Sequence, residues 1–201
     1  MQQTMTGRVL TEAFGPSEGL GLRLKQAALV VAGIAFLAIM AKIKVAVPPS
    51  PVAVNMGTFA VLTIGAAYGA RLGLVTILGY MIIGALGFDV FQSSTAELSG
   101  IEYMMGGTGG YLLGYVMATV LLGTLARRGW DRSVLWMALA MFLGNVILYV
   151  PGLLWLGQVY GFDKPILAWG LTPFVVGDLL KLALAAMVLP AAWKLVGRAR
   201  G

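Results

Sequence analysis

Neither cysteine nor histidine occurs anywhere in the 201 residues. The first absence removes disulfides, thiol nucleophiles and thiolate metal sites. The second removes imidazole ligands and imidazole acid/base chemistry. Acidic side chains are scarce too, only 8 in all, and most fall between apolar runs, so a serine or metal-dependent hydrolase lacks its essential parts. There is no nucleotide-binding motif either: the dense glycines at 106–110 lack the Gly-Lys-Ser/Thr ending of a phosphate loop. An enzyme is not expected, and neither is a cofactor or a metal. A transport role would draw its energy from an ion gradient or from a separate ATPase.

What the chain has in excess is apolar surface. It is 59% hydrophobic and only 11% charged, with a mean hydropathy of +0.89, more apolar surface than a soluble domain of this size can bury. An all-α integral membrane protein embedded in a lipid bilayer is expected. Six apolar segments follow a mixed tail, at about 26–46, 54–70, 72–88, 108–126, 133–156 and 171–196. The second and third are short for a span and meet at Tyr68-Gly-Ala-Arg71-Leu-Gly73, which reads as a tight helical hairpin crossing the membrane together or as a partly re-entrant pair; apolar residues throughout favour the hairpin. In a six-helix arrangement Arg8, Arg23, Lys25, Arg71, Arg127, Arg128, Arg132, Lys194, Arg198 and Arg200 all fall on one side, the larger part of the 14 Lys and Arg residues. By the positive-inside bias that side is cytoplasmic, with both termini there. The net charge of +6 is thereby a matter of membrane orientation, and no nucleic-acid partner is expected. Residues 1–24 read as a cytoplasmic N-terminal tail and 25–201 as a single transmembrane domain. On the outer side, the proline-rich stretch Val47 to Pro51 and the long segment Phe88 to Gly107 are candidates to cap a cavity; the alternative is that they are ordinary connections.

The most telling residues are Asp178 and Lys181, two charges inside the apolar run that begins at Leu171. Each costs roughly 2.5 to 3.5 kcal/mol at mid-bilayer, so the pair is expected to hydrogen-bond to itself and face inward. Three residues apart on a helix, they share one face. Pro173 suits the opening of that helix. Such a pair marks a site, or else it only holds the bundle in register. The Thr108-Gly-Gly-Tyr111 sequence opens the fourth segment, and there Gly109 and Gly110 either let helices approach closely or present backbone N–H groups to a ligand oxygen. Asn55 offers amide donors and an acceptor at the mouth of the second segment, or caps that helix. Asn145 and Tyr149 are open to the same two readings, interhelical hydrogen bonding or ligand contact. Ala28 and Ala32 form a small-xxx-small pair suited to another membrane helix, of this chain or of a partner.

Taken together, the proline stretch, Gly79-Tyr-Met-Ile-Ile-Gly-Ala-Leu-Gly-Phe-Asp-Val-Phe91, Gly107-Thr-Gly-Gly-Tyr-Leu-Leu-Gly-Tyr115 and Pro173-Phe-Val-Val-Gly-Asp-Leu-Leu-Lys181 resemble the BioY family. These are the biotin-specific substrate-binding (S) components of energy-coupling factor transporters. The resemblance implies a six-helix S-component bundle in the inner membrane. It would capture biotin from outside and deliver it through a transmembrane coupling protein and ATPase subunits. It further implies a biotin site at Asp178 and Lys181, with Thr108, Gly109, Gly110 and Tyr111 from the Thr-Gly-Gly-Tyr-Leu motif, and a coupling-protein contact at Ala28 and Ala32. Two positions depart from the pattern: Asn55 stands where the family often has Gln, and Gly107 where it has Pro or Arg. Rival expectations are an S component for riboflavin or thiamine, a solitary ion-coupled organic-acid transporter using Asp178 as a relay, and a membrane scaffold without a ligand.

Overall fold

In a computed structural model of the chain, residues 7–46, 48, 54–95 and 97–198 are described, which leaves Val47 and Pro49 to Pro51 of the proline stretch outside the described residues. A 3-10 turn, Leu10–Ala13, precedes α1 (Gly19–Lys42), so the first helix opens ahead of its apolar run. A two-residue antiparallel ladder follows, β1 (Lys44–Val45) with β2 (Val54–Asn55), in which Lys44 pairs with Asn55. Then come α2 (Gly57–Ala85), α3 (Gly100–Met105), α4 (Gly109–Arg127), a 3-10 turn at Trp130–Arg132, α5 (Val134–Tyr160), α6 (Ile166–Gly170) and α7 (Thr172–Arg198). Among the described residues five helical stretches are long and apolar enough to cross a bilayer, the last of them running through α6 and α7. Helix is the element such sequences must adopt, because within lipid each backbone N–H and C=O needs a partner in its own segment. Their outer faces carry side chains such as Val31, Leu135, Val176 and Leu180, all more than half exposed, as lipid contact requires.

The two short apolar runs share one element, α2, broken at Gly69, where φ is +78° and ψ 170°. Glycine tolerates that backbone; a side chain would strain it. The chain reverses there: a Cβ on Gly73 would stand 3.6 Å from the Cα of Gly65, a separation that no continuous helix allows. The reversal expected between Tyr68 and Gly73 is therefore present. The N-terminal residues complete the turn. Thr11 donates its hydroxyl to the Ala67 carbonyl at 3.1 Å, one of the acceptors near the break, and buried Val9 packs on Gly69. Helix α4 seats against the hairpin through small residues: Thr119 lies between Gly65 and Gly73, and Gly123 meets the backbone of Gly69 and Ala70.

Basic residues gather at the hairpin end of the bundle. Arg127 pairs with Glu12 at 2.6 Å, and Arg132 donates to the Arg8 carbonyl while its guanidinium lies 4.5 Å over the Trp193 ring. Asp131, in the turn between α4 and α5, is fully buried; one oxygen accepts the Trp193 indole N–H, and the other has no hydrogen-bond partner among the described residues. Burial pushes its carboxyl up to about 6, against smaller opposing effects of Trp193 and Arg132. A carboxyl whose folded-state pKa lies above its unfolded value binds protons more tightly when folded. Stability is therefore expected to fall as pH rises from about 4 through about 6 and to level off above. Asp131→Asn, measured by thermal melts across that range, is expected to abolish the slope and to be no less stable than the wild type at pH 7. A slope that persists in the variant would assign it elsewhere.

Candidate functional site

At the opposite end of α1, a cleft opens among α1, both arms of α2, the Phe88–Gly107 segment, α4, α5 and α7. It encloses about 540 Å³ of non-atom space, its open mouth included. Its walls are aromatic. Phe91 stacks on Tyr103 with centroids 5.0 Å apart, and Tyr80 meets Phe91 edge-on at 5.3 Å. Across the cleft Tyr149 lies edge-on to Tyr111 at 6.0 Å and tilted against Phe174 at 6.1 Å. The Phe88–Gly107 segment is thus more than a connection: through Phe91, Gln92 and Tyr103 it forms one wall.

One cation reaches this apolar box. Lys181 lines the cleft, and its ammonium donates to Asp178 Oδ1 at 2.9 Å and to Thr58 Oγ1 at 3.0 Å. Thr58 in turn donates to Asp178 Oδ1 at 3.2 Å, and the Tyr149 hydroxyl donates to Oδ2. Asp178 and Lys181 are 6% and 8% exposed, so the charges face inward and pair, as their position in an apolar run requires. The two differ in what they have left. Both carboxylate oxygens of Asp178 are occupied, whereas the ammonium has used two of its three protons. Asp178 and Thr58 therefore orient Lys181, and Lys181 is the group that can meet a ligand anion or carbonyl. Because Pro173 sits in the first turn of α7, its missing N–H breaks no helical bond on the way to this pair.

The other sequence-chosen residues fall into two groups. Asn55, Thr108 and Tyr111 line the cleft. Asn55 also serves the local backbone: the N-cap of α2 is Met56, not Asn55, yet the Asn55 side-chain oxygen accepts the Gly57 N–H at 2.5 Å from the position ahead of it. Tyr111 spends its hydroxyl on the Gly170 carbonyl at 2.8 Å and offers the cleft its ring. Gly109 and Gly110 are not among the lining residues. A Cβ on Gly109 would come within 2.1 Å of the Met104 carbonyl, and one on Gly110 within 2.3 Å of the Pro151 carbonyl, so both serve the close approach of α4 to its neighbours. Ala28 and Ala32 are exposed on α1, away from the cleft. Sequence reading did not single out Thr58, Tyr80, Phe91, Tyr103, Tyr115 or Phe174 as site residues. Thr58 carried a usable signal, a hydroxyl near the start of an apolar run; Tyr103 carried none.

Comparison with known proteins agrees with this architecture. The chain is 33% identical to the probable biotin transporter BioY of Pyrococcus horikoshii over 83% of its length and 95% of that protein. It is 29% identical to the biotin transporter BioY of Thermotoga maritima over 80% and 92%. Among solved structures, the S-component for biotin from an ECF-type ABC transporter superposes with a TM-score of 0.77, covering 89% of this chain and 95% of that one at 18% identity. That likeness establishes a shared fold, the helical bundle of a multi-pass membrane protein. The BioY family pattern runs from residue 10 to residue 198, through every helix and loop that builds the cleft, and the chain belongs to the BioY family.

Proposed function

We propose that this chain is the biotin-capturing subunit of an ATP-driven uptake system, a transport protein and not an enzyme. The observation that carries the reading is the Lys181 ammonium, held by Asp178 and Thr58 at the wall of an aromatic cleft in a chain of this family. Biotin is a small amphipathic acid. Its apolar bicycle and chain suit the Tyr and Phe walls, while its carboxylate and ureido groups call for a cation and for paired donors and acceptors. Lys181, Asn55 and Thr108 supply those group types around the cleft. Gly109 and Gly110 contribute by holding Thr108 and Tyr111 in place at the start of α4.

The same reading orients the molecule. The reversal at Gly69 gives α2 two passes, which with the other long helices makes six, and the basic hairpin end is cytoplasmic in the inner membrane. The cleft then faces outward, where the vitamin arrives. The exposed Ala28 and Ala32 on α1 are the proposed contact with a transmembrane coupling protein that works with cytoplasmic ATPase subunits. Equilibrium titration of the purified, detergent-solubilised chain with labelled biotin tests the ligand. Saturable binding displaced by unlabelled biotin, and not by riboflavin or thiamine, is expected; displacement by another vitamin, or no binding, would remove biotin as the ligand.

A further inference from the structure

A second groove runs between α1 and α2 at the hairpin end, remote from the cleft, with about 1750 Å³ of non-atom space, its open side included. Four cationic side chains line it, Arg23, Lys25, Arg71 and Arg127, against a single acid, Glu12. Glu12 is already committed to Arg127, and the Lys25 ammonium donates to the carbonyls of Thr11 and Phe14 at 3.2 and 2.8 Å. Arg23 and Arg71 are exposed and make no hydrogen bond or ion pair among the described residues. Two free guanidinium forks beside two further cations form a strong attractor for a phosphate group.

The groove does not remain basic along its length. From Arg23 it continues to Val31, about 12 Å along the helix, and there Val30, Leu72 and Val75 wall it. Val31 and Val75 are 67% and 51% exposed, so this part is an apolar trough open to lipid. Charge at the membrane edge passing into an apolar trough matches one ligand chemistry, a phosphate diester carrying acyl chains. A phosphatidylcholine headgroup would bring its own cation against the arginines, and an inorganic phosphate would leave the trough unfilled.

We propose that this groove binds one anionic phospholipid of the leaflet at the basic end, with its phosphate on Arg23 and Arg71 and its glycerol and first methylenes along Val31 and Val75. Nothing in the proposal depends on the identity of the transported solute. Basic pockets between membrane helices are established sites for such headgroups, each basic residue contributing about fivefold in affinity.

Native mass spectrometry of the full chain, released from detergent with equal amounts of dioleoylphosphatidylglycerol and dioleoylphosphatidylcholine, tests it. One phosphatidylglycerol is expected to be retained in preference to phosphatidylcholine. The Arg23→Gln/Arg71→Gln variant is expected to lose about 25-fold in that retention, the two roughly fivefold contributions combined. Val75→Trp, which fills the trough and leaves the charges alone, is expected to weaken it as well. Circular dichroism melts establish that each variant is folded. Equal retention of both lipids, undiminished retention in the double arginine variant, or complete displacement by inorganic phosphate, which would mark an anion site only, would each overturn the proposal.

Discussion

Lys181→Met is expected to weaken biotin binding by about 30-fold or more, in keeping with the 2 to 5 kcal/mol that truncating one member of a buried, hydrogen-bonded charge pair commonly costs. Its ammonium is the one member of the polar network with a proton left to offer the cleft, since the oxygens of Asp178 already accept from Lys181, Thr58 and Tyr149. The single variant is also expected to melt at a lower temperature, because Asp178 is then buried without its counter-ion. Pairing the change with Asp178→Asn separates the two effects. With both charges gone, the desolvation penalty on the remaining carboxylate disappears, so thermal stability should recover most of its wild-type value while binding stays weak. Equilibrium titration beside thermal melts reads both quantities. A Lys181→Met protein that binds biotin like the wild type would show that the pair serves only to hold the bundle in register.

Gly123→Ala should be among the most damaging single-methyl additions in this chain, costing about 3 kcal/mol or more, at the top of the range for overpacked interiors. A Cβ there would lie 2.0 Å from the Ala70 nitrogen and 2.4 Å from the Gly69 carbonyl carbon. Both are backbone atoms of the hairpin turn, and that turn cannot withdraw. It is fixed by the positive φ of Gly69, by Val9 packed on it and by the Thr11 bond to Ala67. Gly79→Ala is the matched control. Its Cβ would meet the Ile34 Cδ1 at 2.9 Å, the far end of a flexible side chain that a small rotation relieves, and less than about 1 kcal/mol is expected. Melting in detergent with gel filtration distinguishes them: Gly123→Ala should be largely misfolded or melt far below the wild type, and Gly79→Ala should melt near it. Similar melting temperatures for the two would mean that α4 does not press on the turn.

How much of this was legible beforehand depended on chemistry that reports itself locally. Two charges three residues apart in an apolar run must pair or reach a cavity, so Asp178 and Lys181 were identifiable without coordinates, and so was their shared inward face. Tyr68 to Gly73 announced a reversal because two apolar runs were each too short for a span. The glycines of the Thr-Gly-Gly-Tyr motif were ambiguous for a physical reason. A residue without a side chain serves a close helix contact and an exposed backbone N–H equally well, and only the positions of Met104, Pro151 and Trp155 show that Gly109 and Gly110 sit in the first setting. Most of the aromatic walls stayed hidden. In a soluble helix, periodicity separates the inner face from the outer, but in a bilayer both faces are apolar, and Tyr80 reads no differently from the lipid-facing residues around it.

The sequence by itself determined that this is a helical membrane protein, where its apolar runs lie, that its positive charge collects at one end, and which two charges are buried together, because each of these follows from the cost of placing polar groups in lipid. The tertiary structure alone decided the arrangement within the cleft: Asp178 accepting at both oxygens, Lys181 turned to the cleft, Thr58 joining them across 123 residues of sequence, and rings from four separate helices and the Phe88–Gly107 segment closing around them. Long-range contact of this kind leaves no local pattern, since a hydroxyl or a ring is compatible with many neighbours and only the packed bundle selects one set.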